Sequence, residues 1–164
     1  MNSLNISSFD EELFVRYLKI LGLSEQNPSL EALTKIIQAH ITKIPFENLS
    51  KLLYKEKLNL TQLIDFELYV DGIERYGFGG TCYSNNFYLY LLLSWLGYDI
   101  KLCGADMKSV DVHIVCIVNI DAHEFLIDAG YAAPFSMPIP IDLNYDFVIT
   151  SGKDRYVLKS QDIN

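Results

Sequence analysis

The chain has 164 residues, of which 50% are hydrophobic and 13% aromatic, so it can bury the core of one compact domain or of two small lobes. Its formal net charge of −8 repels a phosphate backbone and argues against nucleic acid as a partner. It shows no signal peptide, no membrane-spanning stretch, and no disulfide or CxxC zinc pattern among its three cysteines. We therefore expect a cytoplasmic protein that has no metal site and does not bind a membrane.

Helical periodicity dominates the first part of the chain. Apolar residues at three- and four-residue spacings predict amphipathic helices, and a continuous apolar stretch predicts a largely buried one. The predicted elements, in chain order, are helices over residues 9–21, 29–40 and 60–66, a glycine-rich loop over 72–81, and a buried helix over 83–96.

Short strands dominate the remainder, where apolar runs alternate with turns of Gly, Asp, Asn and Pro. They are predicted over residues 99–103, 110–120, 124–128, 146–150 and 155–159. Helices followed by strands favour an α+β fold. We expect an N-terminal helical bundle over residues 1–97, packed on an antiparallel β-barrel or sheet lobe over residues 98–164.

Cys82 is the first of three residues that point to chemistry. It follows Gly79 and Gly80 and opens the buried helix, whose unpaired N–H groups lower a thiol pKa and can stabilise an oxyanion. The two glycines are expected to take positive φ and to let the backbone approach a substrate. A small apolar cysteine in an ordinary loop explains the local sequence equally well.

His113 and Asp128 are the other two, and each interrupts an apolar run. The short turn at residues 121–123 predicts an antiparallel hairpin that places His113 opposite residues 128–130, within side-chain reach of Asp128. One ring nitrogen can then bond the carboxylate and the other the Cys82 sulfur, which makes an activated cysteine nucleophile. A buried His–Asp pair with no thiol nearby fits the spacing at least as well.

Four other residues with reactive side chains receive structural interpretations. His40 is interpreted as a helix C-terminal cap or a packing residue, and His123 as a solvated turn residue. Cys103 and Cys116 lie in predicted strands and are interpreted as core residues.

Five segments, in order and with natural spacing, resemble the arylamine N-acetyltransferases. These cysteine enzymes transfer an acetyl group from acetyl-coenzyme A to an aromatic amine or hydrazine. The segments are FDEELFVRYLKILG (residues 9–22), LTKIIQAHITKIPFENL (33–49), FGGTCYSNN (78–86), VHIVCI (112–117) and FLIDAGYAAP (125–134).

The resemblance assigns roles residue by residue. It makes Cys82 the acetylated nucleophile, His113 its partner and Asp128 the residue that orients the imidazole. It places Phe46 and Tyr131 at the acceptor pocket. It implies acetyl-coenzyme A as co-substrate, no metal, a small arylamine or hydrazine as partner, and a cysteine-protease-like core formed by a helical lobe and a β-barrel lobe.

One departure concerns the support of the cysteine loop. The family usually has an arginine before the two glycines, and this chain has Phe78. In the family that arginine acts in part through the Glu and Asn of the Pro-Phe-Glu-Asn segment, which are Glu47 and Asn48 here. A buried Glu47 needs a cation or several N–H donors. Our hypothesis is that Arg75 replaces the missing arginine.

A second departure is length, because the resemblance ends before the family's third domain, an α/β lid. We expect that domain to be absent, which leaves apolar surface exposed and makes self-association a further expectation. Two other interpretations stay open. The same triad serves cysteine hydrolases and amide-forming acyltransferases that use another donor. A truncated homologue without activity is the third possibility.

Overall fold

The computed structural model describes residues 8–110, 112–131 and 135–159, and within them five helices precede six strands. The helices are α1 (Ser8–Leu21), α2 (Leu30–Lys43), α3 (Leu49–Leu58), α4 (Phe66–Tyr76) and α5 (Cys82–Trp95). The strands are β1 (Asp99–Ala105), β2 (His113–Ile120), β3 (His123–Ile127), β4 (Ile139–Pro140), β5 (Phe147–Ser151) and β6 (Asp154–Leu158). This order confirms the predicted α+β class.

The two middle helices differ from the sequence prediction. The structure has α3 and α4 on either side of residues 60–65, where a short helix was predicted, and α4 extends into the predicted loop. Asp65 caps α4 by accepting a hydrogen bond from the Leu68 amide at 2.8 Å. Gly72 lies inside α4, at a point where a Cβ would approach the Tyr54 hydroxyl to 2.9 Å. This glycine therefore permits close packing instead of a turn.

The strands form an open sheet and a separate hairpin. The four-stranded sheet is antiparallel in the order β1-β2-β3-β4, with Leu102 paired to Cys116 and Cys116 paired to Ile127. β5 and β6 pair only with each other. The described strands thus form a sheet and not the closed barrel that was one of the expectations. The strand predicted over residues 110–120 corresponds to β2, which begins at His113, and position 111 lies outside the described residues.

Helices and sheet share one hydrophobic core, and α5 lies at its centre. Leu89 and Leu92 of α5 are fully buried together with Cys116 and Val118 of β2. Burial of one such leucine contributes about 1.5–3 kcal/mol, so this contact fixes α5 firmly on the sheet. The position of the first residue of α5 relative to β2 is set by this packing. Among the described helices, none is long and apolar enough to cross a membrane.

Candidate active site

Cys82 is the first residue of α5 and is partly buried. Burial raises the pKa of its thiol above the ordinary value, and the charge of Asp128 adds to that effect. The backbone amides of Tyr83, Ile114 and Cys82 itself face the sulfur and lower the pKa, but they do not outweigh burial. The predicted net lowering by the helix N-terminus is therefore absent. A thiol with a raised pKa needs a base to accept its proton before it can react.

Two glycines bring the segment before α3 against the cysteine loop. The Glu47 amide donates to the Gly80 carbonyl at 3.0 Å, and the Gly80 amide donates to the Pro45 carbonyl at 3.3 Å. A Cβ at Gly79 would lie 1.9 Å from the Pro45 oxygen, so no other residue fits at this position. Gly79 and Gly80 do not adopt the positive φ that was expected. Their smallness instead allows two backbone segments to touch.

Gly130 brings the segment after Asp128 directly over Cys82. A Cβ at Gly130 would lie 2.6 Å from both the Cα and the Cβ of Cys82. Real Cβ atoms essentially never approach another atom this closely, so position 130 must lack a side chain. The backbone of residue 130 thus forms one wall around Cys82.

His113 and Asp128 form a buried pair. His113 Nε2 and Asp128 Oδ2 are 2.6 Å apart, and the two residues are 6% and 2% exposed. His113 begins β2 and Asp128 directly follows β3, and the pairing of Cys116 with Ile127 continues the hairpin register that was predicted. The contact uses Nε2, so any proton exchange with a thiol takes place at Nδ1.

Asn86 connects α5, which begins with Cys82, to both of these strands, and it was not among the residues predicted from the sequence. Its Nδ2 donates to the Ile114 carbonyl at 2.6 Å and to Asp128 Oδ1 at 2.8 Å, and its Oδ1 accepts from the Ala129 amide at 2.7 Å. Asn86 is fully buried and lies one helical turn after Cys82, on the same face of α5. An asparagine in this position of an apolar helix was the signal available in the sequence.

Glu47 is held by backbone amides. Its Oε2 accepts from the Ser50 amide and its Oε1 from the Gly79 amide, both at 3.0 Å. Burial acts to raise the pKa of Glu47, but hydrogen bonds from Ser50, Gly79 and Leu49 together lower it below its ordinary value. The carboxylate therefore bridges the start of α3 and the cysteine loop, and no cationic side chain among the described residues pairs with it.

The structure does not bring Arg75 to Glu47. Arg75 is exposed and pairs with Asp71 one turn earlier on α4, at 3.0 Å. Phe78, in place of the family arginine, packs edge-on against Tyr54 with ring centroids 6.3 Å apart. The hypothesis that Arg75 replaces the missing arginine is thus not what the structure shows. Asn48 is the exposed N-cap residue of α3, and its side chain does not make the cap hydrogen bond.

An open, largely apolar cavity of about 570 Å³ lies in front of these residues. Phe46 and Tyr131 are 60% and 48% exposed at its rim, and the Tyr131 ring stands edge-on to His113 at 6.5 Å. The cavity is lined by Phe46, Cys82, Met107, Val112, His113, Gly130 and Tyr131. It therefore brings together the thiol, the imidazole and both predicted pocket aromatics.

The remaining predicted residues lie elsewhere. His40 is fully buried in the core, and Cys116 is buried beside Asn86. Cys103 is only partly buried. His123 is exposed at the start of β3 and bonds Asp142 at 2.9 Å. Within the described residues, no three His, Cys, Asp or Glu side chains come together as metal ligands.

The chain is similar in sequence to known N-acetyltransferases. The model of a family described as N-acetyltransferase matches residues 29–164. The pineal gland isozyme NAT-3 of arylamine N-acetyltransferase from Gallus gallus is 33% identical over 144 residues, which cover 82% of this chain and 45% of the relative. The chain spans about half the length of the curated relatives it matches.

Solved structures show the same fold. The arylamine N-acetyltransferase from Mycobacterium abscessus superposes with a TM-score of 0.75 at 24% identity, over 97% of this chain and 56% of that one. The Bacillus cereus arylamine N-acetyltransferase, described as having a Cys-His-Glu catalytic triad, gives 0.66 at 24% identity over 89% and 58%. The resemblance drawn from the five sequence segments is confirmed, and the chain belongs to the N-acetyltransferase family.

Proposed function

We propose that this protein transfers an acetyl group from acetyl-coenzyme A to an arylamine or arylhydrazine through an acetylated Cys82. The observation that supports the proposal is that Cys82 lines one apolar cavity with His113, which is bonded to Asp128 at 2.6 Å. The relative from Gallus gallus is named an arylamine N-acetyltransferase. The acetyl donor and the acceptor amine are both part of the proposal, because the chain spans only part of the length of such relatives.

The first half-reaction acylates the thiol. His113 accepts the Cys82 proton at Nδ1 while Asp128 holds the opposite edge of the ring and stabilises the imidazolium. The Cys82 thiolate attacks the thioester carbonyl, and the bond between that carbonyl and the coenzyme A sulfur breaks. The departing thiolate takes the proton from His113. Transfer of the proton to an imidazole suits Cys82, because burial raises the pKa of its thiol.

The second half-reaction transfers the acetyl group to the acceptor. The amine nitrogen attacks the acetyl-Cys82 carbonyl while His113 removes one of its protons, and the carbon–sulfur bond breaks. The Cys82 sulfur recovers its proton from His113, which restores the starting state. Phe46 and Tyr131 present aromatic faces at the cavity rim, which suit a planar aromatic acceptor.

The site combines elements from both halves of the chain. The nucleophile belongs to the helical lobe over residues 1–97, and the His–Asp pair to the strand lobe over residues 98–164. The shared core and the Asn86 bridge support the proposal that the two lobes act as one catalytic unit. Catalysis is then sensitive to small movements of α5 on the sheet.

The test is intact-protein mass spectrometry after incubation with acetyl-coenzyme A. We expect a gain of one acetyl group, absent from Cys82→Ala and lost again when an arylamine is added. His113→Gln is the second control, because it keeps a polar side chain but cannot accept the proton. No gain on the unmutated protein, or the same gain on Cys82→Ala, would sink the proposal. A Cys82 thiol no more reactive than free cysteine would favour the inactive homologue.

Acyl transfer to water is the second candidate function. Its support is the open cavity, where Phe46 and Tyr131 are 60% and 48% exposed and water reaches the thioester. The two functions compete for the same acetyl-Cys82. Hydrolysis that exceeds transfer in excess arylamine would favour a hydrolase, whereas acylation by a donor other than acetyl-coenzyme A would favour an amide-forming acyltransferase.

A further inference from the structure

A row of buried polar side chains crosses the helical core and ends at the cysteine loop. Each member comes from a different helix and each is fully buried. We refer to it as the buried network, and its members are Asn85 of α5, Tyr69 of α4, Tyr17 of α1 and His40 of α2. Catalysis as proposed above uses none of these groups. Polar groups in an apolar core destabilise a protein unless they are satisfied, so their presence calls for a reason.

Each member of the buried network contacts the next, from His40 to Asn85. His40 Nε2 and the Tyr17 hydroxyl are 2.7 Å apart. Tyr17 and Tyr69 pack edge to face with their ring centroids 5.9 Å apart, and burial raises the pKa of both phenols. Tyr69 in turn donates to Asn85 Oδ1 at 3.0 Å.

Asn85 connects the network to the cysteine loop. Its Nδ2 lies 3.5 Å from the Pro45 carbonyl oxygen, which also accepts the Gly80 amide. Its Oδ1 lies 3.2 Å from the point where a Cβ of Gly80 would stand. Asn85 therefore touches both sides of the backbone contact between Pro45 and Gly80. That contact immediately precedes Cys82.

The other end of the network is incompletely satisfied. His40 Nδ1 is buried and has no hydrogen-bond partner among the described residues. Burial lowers the pKa of His40 to about 3, so the ring stays neutral while its Nε2 shares a hydrogen bond with the Tyr17 hydroxyl. A buried nitrogen without a partner destabilises the fold. Stability alone therefore does not account for this polar group.

We propose that the buried network is a positioning device for the nucleophile. It holds Asn85 against the Pro45–Gly80 contact and thereby fixes the first turn of α5, on which Cys82 stands. Its members are positioning residues, since none of them lines the cavity. The inference rests on Cys82 being the nucleophile of the proposed function.

The test is the pH profile of Cys82 alkylation by iodoacetamide, measured on the Cys82 peptide by mass spectrometry. Tyr69→Phe keeps the ring but removes the donor to Asn85. Tyr88→Phe is the matched control, because Tyr88 stacks on Tyr69 at 4.5 Å and its hydroxyl donates to the Ile64 carbonyl instead of to Asn85. Both variants remove one buried tyrosine oxygen from the same aromatic stack.

We expect Tyr69→Phe to lower the alkylation rate about tenfold and to move the profile, as misplacement of a reacting group by a fraction of an ångström does. Tyr88→Phe should lower the melting temperature similarly and leave the profile unchanged. Tyr17→Phe, one contact further away, should give a smaller change of the same kind. An unchanged profile in folded Tyr69→Phe, or an equal change in Tyr88→Phe, would overturn the inference. Iodoacetamide needs no acetyl-coenzyme A, so this result is independent of whether acetyl transfer itself is observed.

Discussion

A methyl group at position 130 collides with Cys82, and Gly130→Ala is therefore the sharpest test of the site geometry. The new Cβ would lie 2.6 Å from the Cα and Cβ of Cys82 and 3.1 Å from Asn86 Nδ2. Carbon atoms in contact prefer separations of about 3.5–4.0 Å. Relief of the clash thus requires Cys82 and the segment after Asp128 to move apart by roughly 1 Å.

The expected losses of stability and of Cys82 reactivity follow from that displacement. Overpacking of this kind destabilises a fold by about 1–3 kcal/mol. A misplacement of 1 Å in a reacting group lowers its rate by as much as about a hundredfold. We therefore expect Gly130→Ala to lose up to about a hundredfold in Cys82 reactivity together with about 1–3 kcal/mol of stability. The two quantities are measured by iodoacetamide alkylation of Cys82 and by urea unfolding.

Gly77→Ala is the control for the loss of a glycine. Gly77 ends α4 at a φ of 65°, and nothing lies within 4 Å of a Cβ built there. The change strains the backbone by about 1 kcal/mol but displaces no neighbour. Cys82 should remain as reactive as in the unmutated protein. Full reactivity in Gly130→Ala, or equal losses in both variants, would refute the close approach of residue 130 to Cys82.

Three further predictions follow from contacts described above. Asn86→Ala removes a donor to Asp128 and should lower the free energy of unfolding by about 1–3 kcal/mol in urea, with a loss of Cys82 alkylation; retention of both would show that the bridge is dispensable. Arg75→Ala breaks only an exposed pair with Asp71 and should change stability by less than about 0.5 kcal/mol, whereas a clear drop in melting temperature would revive a role near the cysteine loop. The pKa of His40 is lowered to about 3 in the folded state, so between pH 6.5 and pH 3 only the unfolded chain binds the extra proton. Stability should be full above about pH 6.5 and should fall by about 1.4 kcal/mol per pH unit towards pH 3. His40→Gln should flatten this slope in urea titrations.

Local sequence patterns were sufficient to predict the elements that carry Cys82, His113 and Asp128. The apolar run of α5 is continuous, and its start at the cysteine follows from the preceding glycines. The turn between β2 and β3 has two residues, Asp121 and Ala122, and so short a turn fixes the hairpin register, which is why the meeting of His113 and Asp128 was predictable. Turn length and strand period together determine which side chains share a face.

Elements whose residues serve tertiary packing were not predictable in this way. Leu49, Leu52 and Leu58 of α3 are exposed, so the apolar residues of this helix do not mark a buried face. Gly72 signals a turn in the sequence but fills a tight helix contact in the structure. β4 has two residues, one of them proline, and gives no periodic signal. A pattern in a single segment cannot reveal a partner that another segment supplies.

The same limitation explains the misplaced expectation for Glu47. Of the two expected kinds of partner, a cation or several N–H donors, only a cation such as Arg75 is recognisable in a sequence, whereas the amides of Ser50 and Gly79 that bind the carboxylate are common to every residue. The Asn86 bridge was missed for a related reason. Its partners are mainly the backbone of Ile114 and Ala129, which only the folded register brings to it.

Support of the cysteine loop by main-chain donors has a consequence for ionic strength. An arginine–carboxylate pair near a surface weakens as salt screens it. The carboxylate of Glu47 is held by two neutral amides at 3.0 Å, and Phe78 fills the neighbouring space with an aromatic contact. Neither contact depends on a mobile cation. The loop that presents Cys82 should therefore keep its geometry in concentrated salt, where a loop fastened by an exposed ion pair would loosen.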